Sequence, residues 1–285
     1  MSIANFIPEI WSKLVLDNIE KNLVFGAVCN RDYEGEIKAA GDTVRINEIG
    51  DVTISSYTKS GTGVSPEELT DAQRLLLINQ TPSFAFFIDD IDRAQGNPAV
   101  MQKAVQNAAY GVRNFIDQYV AGLYTDAALT TNLGTEGSPI ALNNVNVMTY
   151  LAKIARTLDD ASVPEEGRWI VVPPWVKEKI AVKAPTLAGV NSDALARNGL
   201  LGNWFGLNVY VSNNTKWTTN NYTKNKIMAG GKSAITLAVQ KEPTVEAYRP
   251  EARFADAIKG LCLFGAKVVK PTQLALMIAT DTADA

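Results

Sequence analysis

Residues 41–88 read GDTVRINEIGDVTISSYTKSGTGVSPEELTDAQRLLLINQTPSFAFFI, and this stretch decides how the rest of the chain is read. Val44 and Ile46 alternate with Arg45 and Asn47, and Val52 and Ile54 alternate with Thr53 and Ser55. A period of two marks a strand with one buried face. Lys59-Ser60-Gly61-Thr62-Gly63 is a polar tip with glycines for turning, and Leu75 to Ile78 followed by Phe84 to Ile88 supplies the return. Ser65-Pro66-Glu67-Glu68 has the serine, first-position proline and third-position glutamate of a capping box, so a single helical turn can interrupt that return. The pattern predicts a long hairpin from Gly41 to Ile88. A two-stranded ribbon buries too little by itself to offset the ordering of its backbone. Its apolar face is therefore covered either by a larger sheet of the same chain or by neighbouring copies, for which exposed strand edges are a ready binding mode.

Ahead of the hairpin, Ile7 to Asn22 places Ile10, Trp11, Leu14, Val15 and Ile19 at helical spacing, which predicts an amphipathic helix packed on its own domain or on a neighbour. Behind the hairpin, Asn97-Pro98 is a helix start with an N-cap side chain and a first-position proline. Val100, Ala104, Ala108, Val112, Phe115, Ile116, Tyr119, Val120 and Leu123 then form one stripe, with Lys103, Gln106, Arg113, Asp117 and Gln118 placed away from it. A helix from Pro98 to Leu123 is roughly 39 Å long at about 1.5 Å per residue, enough to serve as the spine of a domain. From Thr131 to Thr244 helices and strands alternate: a helix around Val145 to Leu158, a buried strand Trp169 to Val172, a helix from Pro174 and a strand Leu207 to Val211, with a loop at Asn191 to Gly202. Thr244 to Tyr248, Cys262 to Val269 and Gln273 to Ile278 have strand character.

Composition narrows the function. The chain has 285 residues, 46% of them hydrophobic, enough for one large or two modest cores. A net charge of -3 without any basic run argues against a dedicated nucleic-acid reader. Cys29 and Cys262 are far apart and have no metal-ligand spacing, so free thiols are expected. Met1 to Pro8 has no secretory-signal pattern, and no stretch approaches the roughly 18 apolar residues of a membrane span. The histidine count is 0, which removes His-based triads and general bases and nearly all catalytic zinc sites.

In this order of elements, three stretches carry a resemblance: Leu69-Thr70-Asp71-Ala72-Gln73 with Leu77-Ile78-Asn79-Gln80, then Phe84 to Gln95, and Gly260 with Phe264-Gly265-Ala266-Lys267-Val268 and Pro271. The chain resembles, over essentially its whole length, the major capsid proteins of tailed bacteriophages with the Hong Kong 97-type fold. The resemblance implies an α+β subunit with an N-terminal arm (residues 1–40), an extended β-hairpin loop (41–88), a peripheral domain with the spine helix (89–130 and 245–285) and an axial α/β domain (131–244). It implies that the C-terminal segment returns to the peripheral sheet. It implies self-assembly into pentamers and hexamers that form an icosahedral head shell around double-stranded DNA, contacted non-specifically, in a virion assembled in the host cytoplasm. A scaffolding protein, a portal and a decoration protein are the implied partners. Because the chain begins almost directly at the arm helix, a separate scaffolding protein or an already mature chain is expected. No enzyme activity and no cofactor are implied.

Two other functions are weighed against this one. An encapsulin-like nanocompartment shell shares the fold but packages an enzyme. A carboxylate-metal enzyme would use Asp89, Asp90 and Asp92, the densest acidic cluster, but residues 89 and 90 of a strand point to opposite faces, and strand-end acids are usually solvated. No catalytic, cofactor-binding or metal-binding residue is therefore assigned. The candidate intersubunit contacts are Trp11, Arg45, Lys59, Arg74 and Arg93, the arginines as ion-pair partners and Lys59 as a solvated tip residue rather than a cross-linking one.

Overall fold

The computed structural model describes residues 24–33, 43–49, 71–89, 99–183, 202–219, 223–251 and 254–282. The expected helix at Ile7 to Asn22 with Trp11, the hairpin tip with Lys59, the capping box at Ser65 to Glu68, Asp90, Asp92, Arg93 and nearly all of the loop from Asn191 lie outside the described residues.

The chain runs α1 (Phe25–Val28), β1 (Thr43–Ile49), β2 (Asp71–Leu77), β3 (Ser83–Asp89), α2 (Ala99–Ala121), a 3-10 turn (Gly122–Asp126), β4 (Ile140–Leu142), α3 (Val147–Asp160), β5 (Trp169–Val172) and α4 (Pro174–Lys183). It continues through β6 (Asn203–Trp204), β7 (Leu207–Val211), β8 (Trp217–Thr219), β9 (Thr223–Gly230), β10 (Ile235–Tyr248), β11 (Ala255–Val268) and β12 (Leu274–Asp281). Three sheets result: β1-β2, β10-β11-β3, and a seven-stranded mixed sheet ordered β4-β12-β9-β5-β7-β6 with β8 on β9.

The seven-stranded sheet is covered on both sides, and the side chains show it by alternation. Trp169 and Val171 of β5 join Met228 and Leu276 in a core with α2, β10 and β11, whereas Ile170 and Val172 join Ile227 and Met277 in a second core with α3 and α4. A strand with two covered faces reads as a continuous apolar run, which is why WIVV is a strand with no polar alternation. α3 buries Val147, Leu151, Ile154 and Leu158 at helical spacing. Its start is fixed by an asparagine turn: Asn143 Oδ1 accepts the Val145 and Asn146 N–H groups at 3.0 and 2.9 Å, and Asn146 Oδ1 accepts the Asn143 N–H at 2.9 Å.

Three expectations are corrected. The return strand of the hairpin is β2 alone, pairing antiparallel with β1 from Thr43↔Leu77 to Ile49↔Asp71. Phe84 to Ile88 leaves the hairpin and pairs with β11 instead, from Ser83↔Leu261 to Asp89↔Ala255. The reason is on the inner face: Phe84 and Phe86 pack against the spine-helix core, and opposite Phe84 stands Gly260, whose missing side chain leaves room for the ring.

The C-terminal strand β12 is likewise not in the β10-β11-β3 sheet. It lies between β4 and β9 in the seven-stranded sheet. Leu274 to Ala279 are all buried, so the strand requires cover on both faces, and only the central sheet has it.

Finally, the buried stripe of α2 is centred on Val105, Ala109, Val112, Ile116 and Val120, rather than on Ala104 and Ala108. That rotation turns Phe115 partly outward and brings Asp117 inside.

Candidate assembly surfaces

The base of the hairpin is not left to a partner. Val44, Ile46, Leu76 and Ile78 pack with Ala238 of β10 and Val269 just past β11, so the ribbon is anchored by its own chain. Gln80 and Phe264 exchange backbone hydrogen bonds at 3.0 and 3.1 Å, and Lys267 Nζ donates to the Leu75 carbonyl at 2.9 Å. The tightest approach is at Gly265, where a Cβ would meet the Leu77 carbonyl oxygen at 2.3 Å.

The other face of that base is open. Thr43, Arg45, Leu75 and Leu77 share it by register, and Leu77 is 50% exposed. Arg45 is therefore exposed beside two outward leucines, while Arg74, opposite Ile46, lies on the inward face and is half-buried. Of the five candidate contact residues these two fall on one element, one on each face; Trp11, Lys59 and Arg93 lie outside the described residues.

A second open face belongs to the β10-β11-β3 sheet. Cross-strand register puts Phe87, Ala257 and Tyr248 in one row, Ala85, Lys259 and Glu246 in the next, and Ser83, Leu261 and Thr244 in the third. Phe87, Tyr248 and Leu261 are exposed. Lys259 Nζ meets Glu246 Oε2 at 2.9 Å and lies 5.6 Å from the Tyr248 ring centroid. That hydrogen-bonded pair lowers the Glu246 carboxyl and raises the Lys259 ammonium from their ordinary values. At the β10-β11 turn Phe254 is 81% exposed, the most outward large apolar side chain among the described residues. An aromatic side chain so placed is a candidate anchor, since buried aromatics supply much of the energy of protein interfaces.

Both cysteines are held as thiols. The Cys29 thiol is pushed up to about 12 and the Cys262 thiol to about 11, in both cases by burial, so neither carries the thiolate that acts as a nucleophile. Among the described residues no three His, Cys, Asp or Glu side chains gather as a metal group, and no helix is long and apolar enough to cross a membrane.

Sequence reading missed Phe254, Leu75 and Leu77 as outward residues, because an apolar side chain near a turn or on an alternating strand looks the same whichever face is covered. Gly265 did carry a signal: a glycine inside a strand marks a close backbone approach.

Comparison with known proteins adds independent findings. The family model described as phage capsid protein matches residues 80–276. No curated protein matches the sequence significantly. Among solved structures, one from Mycobacterium phage Che8 is 28% identical with a TM-score of 0.74, covering 90% of this chain and 91% of that one. The capsid structure of the cyanophage P-SCSP1u is 18% identical with a TM-score of 0.68, covering 85% of each chain. A virus-like particle from Pyrococcus furiosus is 14% identical with a TM-score of 0.54, covering 94% of this chain and 98% of that one.

Proposed function

The chain belongs to the phage capsid protein family, and from that premise we propose that it is the repeating subunit of a tailed-phage head, closing as pentamers and hexamers around double-stranded DNA. Its α+β architecture is the Hong Kong 97-type capsid fold, and its place is the virion. Within the proposal, residues 1–40 form the arm and the ribbon that begins at Gly41 straps neighbouring subunits. The spine helix and the β10-β11-β3 sheet build the peripheral domain, and the seven-stranded sheet builds the axial one. Arg45 is the intersubunit contact best supported by its exposure, with Trp11, Lys59, Arg74 and Arg93 as further candidates. Scaffolding, portal and decoration proteins are the proposed partners, packaged DNA is touched without sequence preference, and assembly takes place in the host cytoplasm. No catalytic step is assigned to the chain.

The observation that carries this reading is a pair of open faces with outward apolar side chains, one on the hairpin base and one on the β10-β11-β3 sheet, with Phe254 at the β10-β11 turn. Exposed aromatic and aliphatic side chains set among charged ones on strand faces are suited to protein contact. Electron microscopy of the purified chain tests it: closed shells are expected, and a stable monomer at high concentration would overturn the reading. A second reading, a cellular compartment shell with a protein cargo, is supported by the likeness to the Pyrococcus furiosus particle, which is lower in TM-score than the phage matches. Nucleic acid inside particles from the native source favours the phage head, and an enclosed enzyme favours the compartment.

Phe254→Ser isolates the contact from the fold. The side chain has little to lose in the monomer, so the melting curve of the dissociated subunit should move by less than about 0.5 kcal/mol, while the yield of closed shells on sucrose gradients should fall at least tenfold if an aromatic anchor worth about 2 kcal/mol is removed from each contact. Normal shell yield would take Phe254 out of the interface.

A further inference from the structure

Asp117 stands in the last turns of the spine helix and is only 3% exposed. Its Oδ2 accepts the N–H of Val24, the residue that precedes α1, at 3.4 Å, and its Oδ1 has no hydrogen-bond partner. Beyond Val24 the arm is seated on the body of the subunit. Phe25, Val28 and Cys29 are buried in the spine-helix core. Asn30 bonds to the edge of β10, its N–H donating to the Ile235 carbonyl at 2.8 Å and its carbonyl accepting from the Leu237 N–H at 2.9 Å. A carboxylate held out of water with its second oxygen unused, and with only the Val24 and Phe25 N–H groups and the Asn214 side chain as donors favouring its charge, is an unfavourable anchor, since a buried charge needs far more compensation than a buried neutral group.

Resting on the capsid reading, we infer that Asp117 is a proton-operated clasp on the N-terminal arm: neutral, it lets residues 24–30 seat on the spine helix and the β10 edge, and charged, it loosens them.

The groups around Asp117 do not reverse that sense. On its own helix Arg113 attracts the charge one turn away; its guanidinium also lies 4.3 Å from the Tyr110 ring centroid. From the arm come the protonated Cys29 thiol, which feels the Asp117 charge, and Arg31, which acts on that thiol with the opposite sign. The loop after β7 contributes Asn214, a hydrogen-bond partner, and Lys216 lines a neighbouring cavity of about 230 Å³ with Gln118 and Asn214. Burial outweighs the donors and Arg113, and raises the Asp117 carboxyl above its ordinary 3.8. The docked arm supplies part of that burial and also the Val24 and Phe25 N–H groups, which favour the charge; because burial outweighs all the donors together, on this inference the docked state binds the proton more tightly than the state with the arm lifted. Docking therefore strengthens as pH falls through the raised value toward 3.8 and weakens as pH rises through it. One proton changes the docking equilibrium by at most about tenfold per pH unit.

Hydrogen exchange on the purified full-length chain between about pH 4 and 8 tests the clasp. The readout is the protection of amides 24–30 relative to that of α2, corrected for intrinsic exchange rates. In the wild type this ratio should drop several-fold as pH rises, and in Asp117→Asn it should stay flat and exceed the wild-type ratio at pH 8. The same slope in Asp117→Asn, or a flat wild-type ratio, overturns the inference. Should the variant lose its helical circular dichroism, the wild-type slope decides alone. Shell formation is scored separately on the same samples: shells with a flat ratio sink the clasp but leave the capsid reading standing, whereas a pH-dependent arm on a permanent monomer does the reverse.

Discussion

Gly265→Val is expected to unseat the hairpin and abolish shell formation, with a loss of about 2–4 kcal/mol in subunit stability. Any side chain here begins with a Cβ 2.3 Å from the Leu77 carbonyl oxygen and 3.0 Å from both the Leu77 carbonyl carbon and the Ile78 Cα. All three are backbone atoms, so no rotamer change relieves the clash, and the hairpin must lift away from β11. Lifting it strains the paired Gln80 and Phe264 hydrogen bonds and the Lys267 bond to Leu75, and pulls Leu76 and Ile78 from Ala238 and Val269. Gly111→Ala is the control. Nothing lies within 4 Å of its would-be Cβ, and alanine in an exposed helix interior should stabilise by about 0.5–1 kcal/mol. Calorimetry and electron microscopy of the two variants check both expectations; a Gly265→Val protein that melts and assembles like the wild type would show that the hairpin base plays no part.

The second large effect is expected at Glu136. Lys226 on β9 has a side chain only 1% exposed, and its ammonium bonds to Glu136 and to the Thr218 hydroxyl, with the Tyr124 ring centroid at 5.6 Å. The Glu136 side chain is 48% exposed, so the two partners are not equivalent. Removing Glu136 strands a buried cation, whereas removing Lys226 leaves a carboxylate that water can take over. Glu136→Ala should cost about 2–3 kcal/mol, below the usual 3–5 for a fully buried pair because solvent already screens its outer end, and Lys226→Met should cost less. Thermal melts that rank the two in the opposite order would refute this. The pair also predicts a pH dependence. The Lys226 hydrogen bond first, then that of Thr218, holds the Glu136 carboxyl below its ordinary 4.5. Its contribution is therefore complete above pH 4.5 and is lost as pH falls through the depressed value. Glu136→Gln should remove that part of the acid sensitivity.

Legibility in the sequence follows the range of the forces involved. Trp169–Val172 and Leu207–Val211 have the bounds expected of them, because a short apolar run and its flanking breakers are local. Val44 and Ile46 face inward and Arg45 outward as alternation requires. What the sequence does not display is the choice of partner. Phe84 to Ile88 has strand character whether it pairs with β1 or β11, and only the gap at Gly260, far along the chain, decides it. The same holds for β12, whose continuous apolar run says that two faces are covered but not by which sheet. On α2, placing the stripe one residue too early put Asp117 on the solvent side of the wheel. A charged residue inside contradicts every composition rule unless a second segment arrives to meet it, and Val24 is that segment. The outward faces were legible only in part. Arg45 stood out as a charge on an alternating strand, while Phe254 and Leu77 look like core residues until the cover is known to be missing.

The position of β12 sets an order of events. Of the described strands it leaves the ribosome last, yet it pairs with β4, beginning at Ala279↔Ile140, and with β9, ending at Leu274↔Gly230. Until it arrives, β4 and β9 lack their shared neighbour, and the apolar residues of both cores have a gap through the middle of the sheet. Closing contacts between segments so distant in sequence is slow. A nascent chain therefore carries a finished hairpin seat only after β11 and a finished body only after β12, so the part of the chain made last is the part that closes both cores.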